Sequence, residues 1–248
     1  MNEEIAIRAL ELTRSFGKFT AVDHISFEIR RGEIFGFLGA NGAGKTTAIR
    51  MLTGLLSPSS GTALVAGYDV YRESEAIKRA IGYMSQKFSL YEDLTIRENI
   101  RLYGGLYGLS GREITDRTQR MLSRLGLERS ADLAVRAIPL GWRQKLAFSV
   151  ALLHQPRIVF LDEPTGGVDP ITRRQFWEMI YQAAAEGTTV LVTTHYMDEA
   201  EYCDRISIMV AGRIGALGTP AELKRQFATD SIDEVFVRLA RPATAGSR

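Results

Sequence analysis

The chain has 248 residues, 45% of them hydrophobic, enough for one large domain or two small ones. Its net charge of +2 argues against a broadly basic nucleic-acid face, though not against a local patch, and its single cysteine, Cys203, excludes an internal disulfide. No apolar run approaches the ~20 residues needed to cross a bilayer, and the acidic start Met1-Asn2-Glu3-Glu4 lacks a signal-peptide pattern, so the expectation is a cytosolic chain that meets a membrane only through another protein.

β-rich segments come first, at residues 5–12, 25–29 and 34–38. The third, Ile34-Phe35-Gly36-Phe37-Leu38, is wholly apolar, as a buried strand should be. It leads into Gly39-Ala40-Asn41-Gly42-Ala43-Gly44-Lys45-Thr46-Thr47, which fits the P-loop pattern G-x-x-x-x-G-K-[ST]. A helical stretch over residues 48–53 follows and stops at Gly54. Strand, glycine loop and helix are the context this pattern needs. Glycines let the backbone curl so that several N–H groups face one anion, and the helix start adds partial positive charge. Gly39, Asn41, Gly42, Ala43 and Gly44 would form the cradle. Lys45 would reach the β/γ-phosphates, Thr46 would ligate Mg²⁺, and Thr47 would hydrogen-bond on the α-phosphate side. A chance glycine-rich turn is the bland alternative, and the Lys-Thr-Thr ending with these flanks argues against it.

Ser57-Pro58-Ser59-Ser60-Gly61 reads as a turn and residues 81–84 as a strand. Thr95-Ile96-Arg97-Glu98 and Ser110-Gly111-Arg112-Glu113 are capping boxes, each opening a helix. A further helix over 142–153 stops before Pro156, so residues 88–155 are mostly helical. Alternation resumes with the apolar strand 158–161, which ends in Asp162-Glu163. Carboxylates at the C-terminal end of a parallel strand face the ligand crevice of a doubly wound sheet. There Asp162 would hold Mg²⁺ through water, and Glu163 would orient or deprotonate an attacking water. Asp169-Pro170 starts the next helix, with an N-cap and a first-turn proline. A strand over 188–193, a hairpin of 206–210 with 214–217, and a helix capped by Thr219-Pro220-Ala221-Glu222 complete the pattern, with a frayed tail expected from about Arg241.

With Leu161-Asp162-Glu163-Pro164-Thr165-Gly166-Gly167-Val168-Asp169-Pro170 the chain resembles the Walker B and D-loop of ATP-binding cassette (ABC) ATPases, and the order of motifs over residues 5–225 follows that family. The resemblance implies an α/β fold: a P-loop NTPase (RecA-like) core with an N-terminal antiparallel β subdomain and an inserted α-helical subdomain. The expected division is 1–87, the β subdomain and first part of the core; 88–155, the helical signature subdomain; 156–220, the second part of the core; and 221–248, a C-terminal helix and tail. Phe16 sits where the family stacks an aromatic on adenine. Gln86 matches the Q-loop residue that contacts Mg²⁺ and the attacking water. His195 matches the switch histidine, and Asp169 the D-loop aspartate that crosses a dimer interface. Taken alone, Phe16 reads as a core aromatic, Gln86 as a surface amide, His195 as a satisfied imidazole and Asp169 as a helix N-cap.

The family's L-S-G-G-Q signature departs here to Ile138-Pro139-Leu140-Gly141-Trp142. Pro139 offers neither hydroxyl nor N–H, which leaves the Gly141 N–H and the next helix start, with Arg143 and Lys145 adding charge nearby. What the family implies is a Mg²⁺-dependent ATPase on the cytoplasmic face of a membrane, pairing with a second nucleotide-binding subunit, identical or different, and with transmembrane permease subunits. The stretch Phe88-Ser89-Leu90-Tyr91-Glu92-Asp93-Leu94 is the expected docking edge. Residues 231–239 resemble the short end of ABC-2 exporter cassettes, which points to export. The alternatives are a soluble cassette working on ribosomes or DNA, and a low-activity regulatory cassette.

Overall fold

A computed structural model describes residues 4–86 and 90–241. Two sheets carry the fold. The first has strand order β2-β1-β4-β5 and is antiparallel: β1 (Ile5–Phe16), β2 (Phe19–Arg30), β4 (Ser60–Val65) and β5 (Tyr68–Asp69). The second has order β10-β9-β3-β8-β7-β6: β3 (Ile34–Leu38), β6 (Ile81–Met84), β7 (Ile158–Asp162), β8 (Thr189–Thr194), β9 (Arg205–Val210) and β10 (Arg213–Gly218). It is parallel except for the terminal β9–β10 hairpin. The helices are α1 (Lys45–Leu52), α2 (Ser74–Ala80), α3 (Ile96–Leu106), α4 (Gly111–Leu125), α5 (Leu140–Ala151), α6 (Pro170–Ala185), α7 (Pro220–Gln226) and α8 (Ile232–Ala240).

In the second sheet β3, β7 and β8 are buried along their whole length, which is why β3 and residues 158–161 of β7 read as unbroken apolar runs, while β8 carries buried threonines at its ends. Pleating then sorts its side chains. Phe35, Phe37, Ile158, Phe160 and Leu191 pack with α1 and the first sheet. Ile34, Leu38, Val159, Leu161, Val190 and Val192 pack with α5, α6 and α8. Phe27 of β2 joins Phe35 and Phe37, its ring 5.0 Å from that of Phe37 and edge-on to it. Burial of each such side chain contributes about 1.5–3 kcal/mol, so this triad fastens one sheet to the other.

Both predicted capping boxes form. Thr95 accepts from the Glu98 N–H while Glu98 accepts from the Thr95 N–H, and Ser110 and Glu113 repeat the exchange. The strands of the first sheet run further than alternation suggested, because Glu11 and His24 adopt positive φ and break the period at irregular points in the β1–β2 pairing. β4 begins inside the segment expected to be only a turn. Among the described residues no helix is long and apolar enough to cross a membrane.

Candidate functional site

The carboxyl ends of β3, β6, β7 and β8 lie side by side, since Leu38 pairs with Thr194, Thr193 with Asp162, and Leu161 with Met84. Residues following these strand ends therefore share one crevice, as in open α/β sheets generally. From β3 the chain enters the glycine loop. Gly39 and Gly44 have φ of +152° and +108°, and a Cβ on either would stand 2.5 Å from a backbone oxygen, that of Met209 or Ala21. Neither position tolerates a side chain, so the loop's curl is fixed by β2 on one side and β9 on the other.

Lys45, at the start of α1, is buried, and its Nζ donates to the Gly39 and Ala40 carbonyls at 2.7 and 3.2 Å. Burial pushes its pKa down, against the pull of the Glu163 carboxylate 3.5 Å away. Thr46 Oγ1 donates to Asp162 Oδ1 at 3.2 Å, and Thr193 Oγ1 donates to the same oxygen at 2.7 Å. Asp162 Oδ2 is buried without a donor among the described residues. Burial raises the Asp162 pKa, and the two hydroxyls counter it.

This donor set fits Mg²⁺. A hydroxyl beside an unpartnered carboxylate oxygen supplies the hard ligands Mg²⁺ takes, and Mg²⁺ commonly completes its shell with water and substrate phosphate. Among the described residues no cluster of three acidic, histidine or cysteine side chains forms a metal cage.

Glu163 is the point of convergence. Its backbone N–H is held by the Thr193 carbonyl and hydroxyl, at 3.2 and 3.0 Å. Its φ is +50°, a left-handed conformation that costs a non-glycine residue about 1–2 kcal/mol. Its carboxylate accepts from Gln86 Nε2 at 2.9 Å, meets His195 Nδ1 at 3.2 Å and faces Lys45. One acidic side chain thus gathers residues 45, 86 and 195, each from a different strand end. A carboxylate held by a cation, an amide and an imidazole beside a phosphate-type loop can orient a water and take its proton.

Three predicted residues lie apart from this cluster. Phe16 pairs with Phe19 at the tip of the β1–β2 hairpin. It is half exposed rather than core, with the Arg14 guanidinium 4.6 Å from its ring centre. Gly141 and Asp169 share an outer cavity of about 310 Å³, lined also by Pro139, Trp142, Lys145 and Thr172. Asp169 caps α6, accepting from the N–H groups of Ile171 and Thr172 and from the Thr172 hydroxyl, which hold its pKa down. Lys145 reaches Gln175 at 2.6 Å and lies over the Trp142 ring. Arg143 does not add charge there as expected: its guanidinium turns to the Ile138 carbonyl and to Glu92. Of the expected docking edge, Phe88 and Ser89 lie outside the described residues; Leu90 is buried and Tyr91 exposed.

The model of the family described as ABC transporter matches residues 22–166, more than half of the chain. The chain belongs to the ABC transporter family. It is 50% identical over 241 residues to the probable multidrug ABC transporter ATP-binding protein YbhF of Escherichia coli (strain K12), covering 95% of this chain but 42% of that protein. It is 38% identical over 232 residues to the linearmycin resistance ATP-binding protein LnrL of Bacillus subtilis (strain 168), covering 93% of this chain and 75% of LnrL. A solved structure of an ATP binding subunit of an ABC transporter superposes with a TM-score of 0.85 at 32% identity, covering 94% of this chain and 99% of that one.

Within the ABC crevice, sequence reasoning missed Thr193, which braces both Asp162 and Glu163. Two threonines closing an apolar strand before His195 were the available signal. It also missed Gln144, whose Nε2 donates to the Gly166 carbonyl and which lines a cavity of about 120 Å³ with Gln86 and Glu163.

Proposed function

We propose that this chain is the ATP-hydrolysing subunit of an ABC transporter and that the transporter exports its substrate. The observation that carries the reading is the convergence of Lys45, Gln86 and His195 on Glu163 at the mouth of the glycine loop. Phosphoryl transfer to water needs placement and charge neutralisation more than covalent help. The loop N–H groups from Gly39 to Gly44, with Lys45, Thr46 and Thr47, would grip the phosphates, and Phe16 would stack on the adenine. Thr46 and Asp162 would hold Mg²⁺, joined by Gln86, and the ion would neutralise charge on the phosphates. Glu163 would accept the proton of the attacking water while His195 fixes that carboxylate and contacts the terminal phosphate.

The export direction rests on the multidrug and resistance names of the relatives. The full partnership is part of the proposal. Gly141 and Asp169 on the outer cavity would meet the nucleotide of a second cassette, of the same or another kind. Residues 88–155 would pass motion to membrane subunits that hold the chain at the cytoplasmic face. We keep the division at 1–87, 88–155, 156–220 and 221–248.

The test is Glu163→Gln with Mg-ATP. Removing a general base costs about 10²–10⁴ in rate. The variant should bind ATP and lose hydrolysis on that scale, and an unchanged rate would remove Glu163 from the mechanism.

A further inference from the structure

A second set of polar side chains joins the loop of His195 to helix α6. Thr165 Oγ1 donates to Glu199 Oε1 at 2.6 Å, and Glu199 is fully buried. Arg173, in the first turns of α6, brings Nε to 3.7 Å from the same oxygen and Nη1 to 3.5 Å from Asp198. Glu199 Oε2 has no hydrogen-bond donor among the described residues. A carboxylate at this depth is tolerated only with a counter-charge, and Arg173 is the cation that faces it. The Arg173 guanidinium also lies 4.1 Å from the centre of the Tyr196 ring. That ring stands 4.2 Å from the imidazole of His195, whose Nδ1 is 3.2 Å from Glu163. Helix α6 opens on Asp169 and Thr172, which line the outer cavity.

A buried ion pair that served stability alone would have no need of a planar cation stacked on the neighbour of His195. Arginine does both tasks with one group: its charge faces Glu199 at 3.7 Å, with Nε buried and without a hydrogen-bond acceptor among the described residues, and its planar face lies against Tyr196. We propose that Arg173, anchored by Glu199, is a positioning residue: through Tyr196 it holds the His195 imidazole against Glu163, and so ties helix α6 at the outer cavity to the hydrolytic carboxylate. The inference rests on the ATPase reading above.

The test uses the full chain with Mg-ATP and the charge-neutral double variant Arg173→Met/Glu199→Gln, which removes both charges of the inner pair and leaves only the exposed Asp198 carboxylate, which solvent screens, without its cation. Its kcat should fall by about tenfold or more, with KM for ATP within about threefold of the parent. Adding His195→Ala should cost little further, because residues acting as one unit are not additive. A double variant with parental kcat overturns the proposal, as does a loss that multiplies with that of His195→Ala. Tyr196→Leu leaves the ion pair intact and gives the same comparison should the double variant not fold; Tyr196→Phe should behave as the parent.

A second readout is independent of turnover. The chain has three histidines, His24, His154 and His195, so their imidazole resonances can be assigned individually. In Arg173→Met/Glu199→Gln and in Tyr196→Leu the His195 resonance should move while those of His24 and His154 stay. A His195 resonance that stays overturns the positioning role. A parent chain that hydrolyses no ATP, alone or with partners, instead sinks the ATPase reading, and the resonances still decide this one.

Discussion

Gly141 is the glycine that the resemblance sets against the family signature, and its local packing gives a reason for a glycine there that involves no nucleotide. A Cβ there would stand 2.5 Å from Thr172 Cγ2, with Thr172 Oγ1 at 3.2 Å and Thr172 Cβ at 3.4 Å. Helices α5 and α6 thus touch at a point where one methyl group is too many. In Gly141→Ala the Thr172 side chain must rotate or α6 must retreat. Rotation breaks the hydroxyl bond to Asp169; retreat opens the core around Phe148 and Phe176, whose rings lie 5.2 Å apart. Overpacking of this kind costs about 1–3 kcal/mol. Alanine returns up to about 1 kcal/mol of helix propensity. The single variant alone is therefore a blunt test, and the cycle with Thr172→Ser is a sharp one. Serine keeps the hydroxyl for Asp169 and deletes the offending methyl. Gly141→Ala should be about 1–3 kcal/mol worse in the parent background than in the Thr172→Ser background. Urea unfolding of the four proteins gives that difference directly. A coupling below about 0.5 kcal/mol, the usual limit of additivity, would refute the packing account.

Asp162 supplies a pH prediction. Burial raises its pKa above 3.8, so as pH rises the native state keeps this proton longer than the unfolded chain does. Its contribution to stability therefore declines as pH rises from about 3.8 through the raised value. Without Mg²⁺, the stability of the parent relative to Asp162→Asn should fall between pH 4 and pH 7; a difference that is flat or rising contradicts this. Burial also pushes the Cys203 thiol far up, so the native chain should react with iodoacetamide at pH 8 at least about 10²-fold more slowly than the chain in urea, and equal rates would show that the loop before β9 opens freely. Gly44→Ala should abolish nucleotide binding while Gly42→Ala weakens it less, since a Cβ on Gly44 meets the Ala21 carbonyl and one on Gly42 meets nothing; isothermal titration with Mg-ATP separates the two.

What the sequence disclosed and what it hid divide along physical lines. The glycine loop, the strand ending in Asp162-Glu163 and the capping boxes are written in contiguous residues, where local geometry and local chemistry coincide. His195 and Gln86 were legible as positions following apolar strands, but their meeting on Glu163 depends on the register of three parallel strands, which no local pattern encodes. The tie between Thr165, Arg173 and Glu199 spans 34 residues and uses residue types that elsewhere mark a solvated surface. The extents of β1 and β2 were hidden by Glu11 and His24, whose positive φ interrupts the alternation that identifies a strand. Arg143 shows the converse limit: its position beside Gly141 was read correctly, but the direction of its side chain was set by Glu92, 51 residues away.

The short turn between β9 and β10 looks like an ordinary surface connection, yet it is stitched to two remote segments. The Gly212 N–H donates to the Ala43 carbonyl in the glycine loop, and the Gly212 carbonyl accepts from the Asp23 N–H. Short exposed hairpin tips are usually where a tag or a foreign domain can be spliced at little harm. At this tip a splice would tug on the anion cradle itself, so an engineer seeking a labelling position would do better on the outward side of α4, and an apparently innocuous insertion after Ala211 would register first as lost nucleotide affinity rather than as lost solubility.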